Sequence, residues 1–179
     1  MNNFDLEELF DTLNKKHFSG VINKIPVEWN LRLRTTAGKC VYTRMRINGS
    51  VEYKPTRIEL SKKLFKNNNM DLEKIRRTLI HEMTHAFMLQ VHNEPGHTPR
   101  FHLIMSRITG EFGNHRCHNY NVKGLRNKRN VAYWCPCGLT EGMRARMPKA
   151  GLVYRAKCCK GIVEFKKMDD KSDNFWDIE

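Results

Sequence analysis

Leu6, Leu9, Phe10, Leu13 and Phe18 recur at mostly helical spacing among acidic and polar neighbours. That pattern predicts an amphipathic helix over residues 4–18, capped by Asn3 and ended at Gly20. The apolar positions then tighten into three strand-like runs, residues 25–33 with Trp29, 39–47 and 51–60. Gly49 and Ser50 suit the turn between the second and third. From Asp71 the helical period returns, with Leu72, Ile75, Leu79, Met83 and Phe87 as the buried stripe of a second helix that runs to His92. Pro95-Gly96 stops it. Thr98 and Pro99 open a third helix, as N-cap and first-turn proline, and Gly110 ends it after Thr109.

Beyond Gly113 the texture changes. Residues 114–130 are polar and basic with no helical period and read as a linking arm. Residues 131–167 hold four of the six cysteines but only short apolar pairs. That is too little for an independent core, so this piece needs a staple. Residues 168–179 form an acidic tail, expected to be disordered, although Phe175 and Trp176 can dock. The expected class is α+β: a domain over 1–113, the arm, a small β subdomain over 131–167, and the tail.

Charge sharpens this division. Residues 115–167 carry thirteen Lys and Arg against Glu141 and Glu164, which accounts for +11 of the chain's net +13. A basic third on a near-neutral body suits a polyanion, nucleic acid above all, with a solvated surface as the bland alternative. No apolar run approaches the ~20 residues that span a bilayer, so no membrane partner is expected. The acidic start is no secretory signal, and cysteines in a reducing compartment pair around metals more often than in disulfides. A monomer is expected.

Within the second helix, His81, Glu82 and His85 spell H-E-x-x-H. Residues i and i+4 share a helix face, so two imidazoles can bind one Zn²⁺ while Glu82 reaches a water beside it. From residue 78 to 91 Glu82 is the only formally charged side chain. A carboxylate on so apolar a helix needs a cation or another partner to offset its desolvation, which argues against two merely structural histidines.

A catalytic zinc usually takes three protein ligands. His92 fails on geometry: seven residues advance a helix ~10.5 Å, against Zn–N bonds of ~2.0–2.1 Å. Met88 and Val91 stand where a metzincin would have Gly and His. His97 is better placed, just past the Pro95-Gly96 break and just before a capped helix, with His102 as runner-up.

His81-Glu82-x-x-His85 followed by Glu94-x-Gly96-His97-x-Pro99-x-Phe101 resembles the SprT-like zinc metalloproteases. Trp29, Thr36-Ala37-Gly38-x-Cys40, Ile58-Glu59-Leu60-Ser61 and Arg116-Cys117-His118-Asn119-Tyr120 fit as well. The pattern is most similar to the SprT domains of germ cell nuclear acidic proteins, with Spartan and bacterial SprT as more distant kin, and it spans roughly residues 5–166. The resemblance implies a small zincin-like fold and a protease that cuts proteins trapped on DNA. It also implies zinc ligands His81, His85 and His97, with Glu82 as catalytic base. A nuclear or otherwise DNA-associated location follows from the same likeness. Tyr120 and Arg116 are candidates for stabilising the oxyanion.

Relatives carry a zinc ribbon where this chain has Cys135-Pro136-Cys137-Gly138 and Cys158-Cys159-x-Gly161. Here the spacing is C-x-C and C-C in place of two C-x₂-C pairs. Adjacent cysteines do not easily aim both thiolates at one ion, so Cys117, His115 or His118 is an alternative fourth ligand, and a ribbon without metal is the other outcome. Nucleic-acid contacts are expected from Arg126, Lys128, Arg129, Arg144, Arg146, Arg155 and Lys157. Tyr133 and Trp134 either stack on exposed bases, of single-stranded DNA or an opened duplex, or pack within the ribbon. Cys40 reads as a buried strand residue. Two other classes stay open: a non-catalytic nucleic-acid-binding module with a structural zinc, and a general metallopeptidase independent of DNA.

Overall fold

A computed structural model of the chain describes residues 5–113, 115, 120–126 and 129–168. Asn3, Arg116, Cys117, His118, Asn119, Lys128 and the tail from residue 169 lie outside the described residues. The chain divides into two compact units, Met1–Arg126 and Asn127–Glu179. Among the described residues, no helix is long and apolar enough to cross a membrane.

The first unit is α+β. Helix α1 (Leu6–Phe18) is capped by Asp5, whose carboxylate accepts from the Glu7 and Glu8 amides. It ends at Ser19 in the left-handed conformation, one residue before the predicted glycine stop. Strands β1 (Val27–Asn30), β2 (Gly38–Ile47) and β3 (Ser50–Ser61) form one sheet in the order β1-β3-β2, with β1 parallel and β2 antiparallel to β3. β1 is shorter than its apolar run, because only residues 27–30 find partners on β3. The register of β2 against β3 shifts at Val41/Tyr42, where Thr56 is the extra residue.

A short helix α2 (Lys62–Asn67), invisible to periodicity because it carries only Leu64 and Phe65, starts on a Ser61 cap. Helix α3 (Leu72–Phe87) is capped by Asp71 and continues through a π-helical turn, Met88–His92. Helix α4 (Pro99–Thr109) has the expected Thr98 cap, Pro99 in its first turn and Gly110 at its left-handed end. The core joins Phe10 of α1, Ile58 and Leu60 of β3, Leu64 and Phe65 of α2, and Ile75, Leu79 and Met83 of α3, all fully or almost fully buried. Each such side chain contributes about 1.5–3 kcal/mol on leaving water. Leu72, assigned to the buried stripe, is exposed at the helix start.

Part of the supposed linking arm belongs to this unit. Tyr120, Val122 and Leu125 pack against the core, and Asn68 holds the backbone of Asn121 through both its amide oxygen and its amide nitrogen. The polar sequence there masks three apolar anchors spaced too irregularly to register as a helix or strand.

The second unit is a three-stranded antiparallel sheet, β4 (Val131–Trp134), β5 (Glu141–Arg144) and β6 (Glu164–Lys167), in the order β5-β4-β6. Its buried apolar set is small: Val131, Ala132, Cys135, Ala156 and Met168.

Candidate metal centre and basic module

One turn of α3 places His81 and His85 on a common face, and the loop after the π-helical turn returns His97 to them. Asn93 takes a left-handed conformation at the end of that turn, and Gly96 does the same three residues later. Glu94 then ties the loop to α4, accepting from Thr98 Oγ1 and from the Arg100 guanidinium. One ring nitrogen from each of His81, His85 and His97 lies within 4.8 Å of the others. His81 Nε2 and His97 Nε2 are 3.1 Å apart. Two nitrogens of a tetrahedral zinc site, with bonds of ~2.0–2.1 Å, sit about 3.3 Å apart, so the donor set fits that ion.

Phe101 seats all three rings. Its ring is fully buried and lies 4.4 Å from that of His85, 4.7 Å from His97 and 5.0 Å from His81. Burial, with the neighbouring His97, brings the His85 pKa down to about 4, which keeps its imidazole neutral and able to donate a lone pair. His102, the alternative ligand, lies outside this cluster. Its ring stacks at 6.1 Å on His97 and at 5.9 Å on His115, and its Nδ1 is buried without a hydrogen-bond partner among the described residues.

Glu82 sits beneath β2, almost fully buried. The Cys40 amide donates to its Oε2 at 2.7 Å. Gly38 leaves the room it needs: a Cβ there would lie 2.8 Å from Glu82 Cγ and 2.8 Å from Thr78 Cγ2. Burial pushes the Glu82 pKa up to about 8, against the opposing pull of the Cys40 amide. Cys40 itself is buried, as expected of a strand cysteine, and its thiol is pushed up to about 12 by burial. Tyr120 donates its hydroxyl to the Lys74 carbonyl and meets Thr78 Oγ1, both at 3.1 Å, so it braces the first half of α3.

In the second unit the sulfurs of Cys135, Cys137, Cys158 and Cys159 all lie within 4.8 Å of one another. Neighbouring separations run from 3.1 Å (Cys135–Cys159) and 3.4 Å (Cys137–Cys158) to 3.9 Å (Cys158–Cys159). Tetrahedral Zn–S bonds of ~2.3 Å put sulfurs about 3.8 Å apart, so this donor set also fits zinc. Local geometry brings the sulfurs of the two adjacent cysteines together. The chain makes a helical turn there, closed by the Lys160 amide to the Ala156 carbonyl, so successive side chains fan out by about 100° instead of alternating. The Thr140 hydroxyl holds the Cys158 thiol down at about 6. His115, one of the alternative ligands, is bonded instead to Ser106 Oγ.

The basic candidates divide. Arg126, Arg129, Arg146 and Lys157 are exposed. Arg144 lies over the rings of Tyr154 and Phe165, and Arg155 donates to the Lys160 carbonyl. Tyr133 packs against Phe165 at 6.2 Å and fills the space above Gly142, while Trp134 is half-buried.

With this geometry in place, comparison with known families is decisive: residues 6–123 match the SprT-like family. The chain belongs to the SprT-like family. The SprT-like chain is 26% identical to the germ cell nuclear acidic protein of Drosophila melanogaster over 174 residues, covering 94% of this chain and 15% of that protein. It is 34% identical to the DNA-dependent metalloprotease SPRTN of Homo sapiens over 113 residues, 61% of this chain and 21% of the human protein. With the SPRTN of Xenopus tropicalis it shares 30% identity over 161 residues, 86% of this chain and 33% of that protein. The SprT-like chain therefore spans no more than a third of the length of these relatives.

Gly38, the Cys40 amide and Phe101 are the site residues that reasoning from chemistry along the sequence missed in this SprT-like protein. A glycine inside a strand pattern does signal a close backbone approach, but not to which residue.

Proposed function

We propose that the chain is a zinc endopeptidase that hydrolyses peptide bonds of proteins bound or crosslinked to DNA. The observation that supports this reading is the convergence of three imidazole nitrogens beside a buried carboxylate that the β2 backbone holds in place. His81, His85 and His97 would hold the ion, and zinc bound there would supply Lewis acidity toward the scissile carbonyl and toward water. Glu82 takes the proton of the attacking water and passes it to the leaving amine. Phe101 keeps the three rings oriented, and the Cys40 amide keeps Glu82 aimed. A purely structural zinc would need no such carboxylate, which favours the enzyme over the non-catalytic module.

The DNA dependence of SPRTN supports a nucleic-acid partner, and the likeness to a germ cell nuclear acidic protein supports residence in the nucleus; a role in clearing DNA–protein crosslinks is the part of the reading that extends beyond them. Cys135, Cys137, Cys158 and Cys159 would hold a second, structural zinc, the staple that so small a core needs. In this reading the catalytic domain is residues 1–113 together with the anchors Tyr120, Val122 and Leu125, and the ribbon is residues 131–167. Arg126, Arg129, Arg146 and Lys157 are then free to meet phosphates, with Lys128 beside them in sequence and Arg144 and Arg155 serving the ribbon's own packing first. Cleavage of a DNA-bound protein, measured with no DNA, single-stranded DNA and duplex, tests the reading. Cleavage that is zinc-dependent but indifferent to DNA would favour the general metallopeptidase, and none at all the binding module.

A further inference from the structure

Before residue 114 the sequence carries eighteen Lys and Arg against twelve Asp and Glu, and part of that excess lies on the far half of the β2–β3 hairpin. Residues 42–50 are exposed without a break, including Tyr42, Met45 and Ile47. This ribbon buries little, and a two-stranded ribbon is marginal by itself. It is braced instead by Asn93, whose amide donates to the Val51 carbonyl at 2.7 Å and accepts from the Tyr53 amide at 2.8 Å. The stretch of chain that carries His97 thus also supports the hairpin.

Alternation along β2 puts Tyr42, Arg44 and Arg46 on one face, opposite Pro55, Tyr53 and Val51 of β3. The rings of Tyr42 and Tyr53 meet edge-on at 5.7 Å, in keeping with that shared face. Gly38 and Cys40, the two neighbours of Glu82, occupy the same face of the strand. Arg44 and Arg46 follow about 6.6 Å apart along it. Among the described residues neither forms an ion pair, whereas Arg57, Arg77 and Arg100 all do. The one acid of the distal hairpin, Glu52, pairs across from Met45 on the opposite face, as Lys54 does from Thr43.

Two unpaired guanidiniums in line with an exposed aromatic ring match a strand of nucleic acid, phosphates on the forks and a base on the ring. We propose that the β2–β3 ribbon is a second nucleic-acid contact, built on the protease unit itself, with Arg44 and Arg46 taking phosphates and Tyr42 a base of a single-stranded stretch. The proposal rests on the reading that the chain works on DNA. It adds that the strand positioning Glu82 also carries the nucleic acid.

The test uses the full, zinc-loaded chain and fluorescein-labelled oligothymidine, with affinity measured across a range of salt. Arg44→Ala/Arg46→Ala should weaken binding at least fivefold and flatten the log–log salt slope by about 1.4, at about 0.7 per lost single-strand phosphate contact. Arg44→Lys/Arg46→Lys should restore the slope, and Tyr42→Ala should weaken binding with the slope intact. Independently of any variant, photocrosslinking wild type to iodouracil-substituted oligothymidine should label residues 42–54. Unchanged affinity and slope, with no crosslink there, overturn the proposal alone. So does a loss of binding confined to a polyglutamate probe, which would mark the ribbon as a contact for acidic protein. Wild type that binds no oligothymidine overturns both this proposal and the DNA reading beneath it.

Discussion

The Cys40 amide and the Glu82 carboxylate meet at 2.7 Å across 42 positions of sequence, so an edge strand fixes the carboxylate that lies between His81 and His85. Two acceptor oxygens are then treated differently. Oε2 is committed to the backbone, Oε1 is not held by that bond, and the aim of Oε1 depends on how closely β2 approaches α3.

Replacement of Glu82 by Gln keeps the shape and the Cys40 contact while removing the base. Peptide cleavage should fall by at least about 10²–10⁴-fold, the usual weight of general-base catalysis. Zinc content, read by atomic emission, should be unchanged. A Glu82→Gln variant that cleaves at the wild-type rate would remove Glu82 from the mechanism.

Gly38→Ala forces a methyl into the space between Glu82 and Thr78. Overpacking of this kind costs about 1–3 kcal/mol, and displacement of a catalytic group by ~1 Å costs up to about 10²-fold in rate. The expected signature is a fall in kcat much larger than any change in zinc affinity. Equal losses in both would show that Gly38 serves the histidines and not the carboxylate.

Stability without metal should depend on pH in a way set by two buried groups. Glu82 rises from its ordinary 4.5 to about 8, so its contribution is complete below 4.5 and is lost as pH climbs through 8. His85 drops from 6.5 to about 4, so its contribution is present above 6.5 and is lost as pH falls through 4. Between 4.5 and 6.5 the two slopes oppose each other, and from 6.5 to 8 the carboxylate lowers stability while the Cys158 thiol of the second unit, held at about 6, raises it. Melting of the helical unit in the chelated protein, followed by far-ultraviolet signal, should therefore be nearly level from pH 4.5 to 6.5 and fall toward pH 8. In Glu82→Gln that fall should vanish. With zinc bound it should reverse, since metal competes with protons for the ligands.

Substitution of Cys159 by Ser tests whether both adjacent cysteines ligate. Zinc stoichiometry should drop from two per chain to one, with the far-ultraviolet signal of the helical unit retained. Two zinc ions in the variant would mean that Cys158 and the remaining sulfurs suffice.

His97→Ala should abolish high-affinity zinc binding at the helical site, whereas His102→Ala should leave it within about threefold, since the His102 ring stacks on that of His97 without joining the three-histidine cluster. Calorimetric titration of the metal-free proteins separates the two.

Much of this was legible in the residues because the signals were local. Caps at Asp71 and Thr98, the i,i+4 histidines and the Pro95-Gly96 break each act within a few positions, and the structure places the helices accordingly. What escaped was non-local or too small to have a period. Gly38 touches Glu82 only because β2 crosses α3, and α2 has just two apolar side chains. The position of Arg144 over the rings of Tyr154 and Phe165 was likewise out of reach, because those rings lie ten and twenty-one residues further along the chain. That the adjacent cysteines sit on a helical turn, which brings both sulfurs beside Cys135 and Cys137, was not legible from their spacing.

Helix α3 buries Ile75, Leu79 and Met83 in the core while carrying His81, Glu82 and His85. The domain thus has no separate scaffold and active centre on that element. Ligand occupancy and cooperative unfolding are linked through one rigid body, so the melting temperature becomes a direct gauge of site occupancy. Damage deep in the core at Leu79 would consequently be felt first as leakage of metal, before any loss of secondary structure.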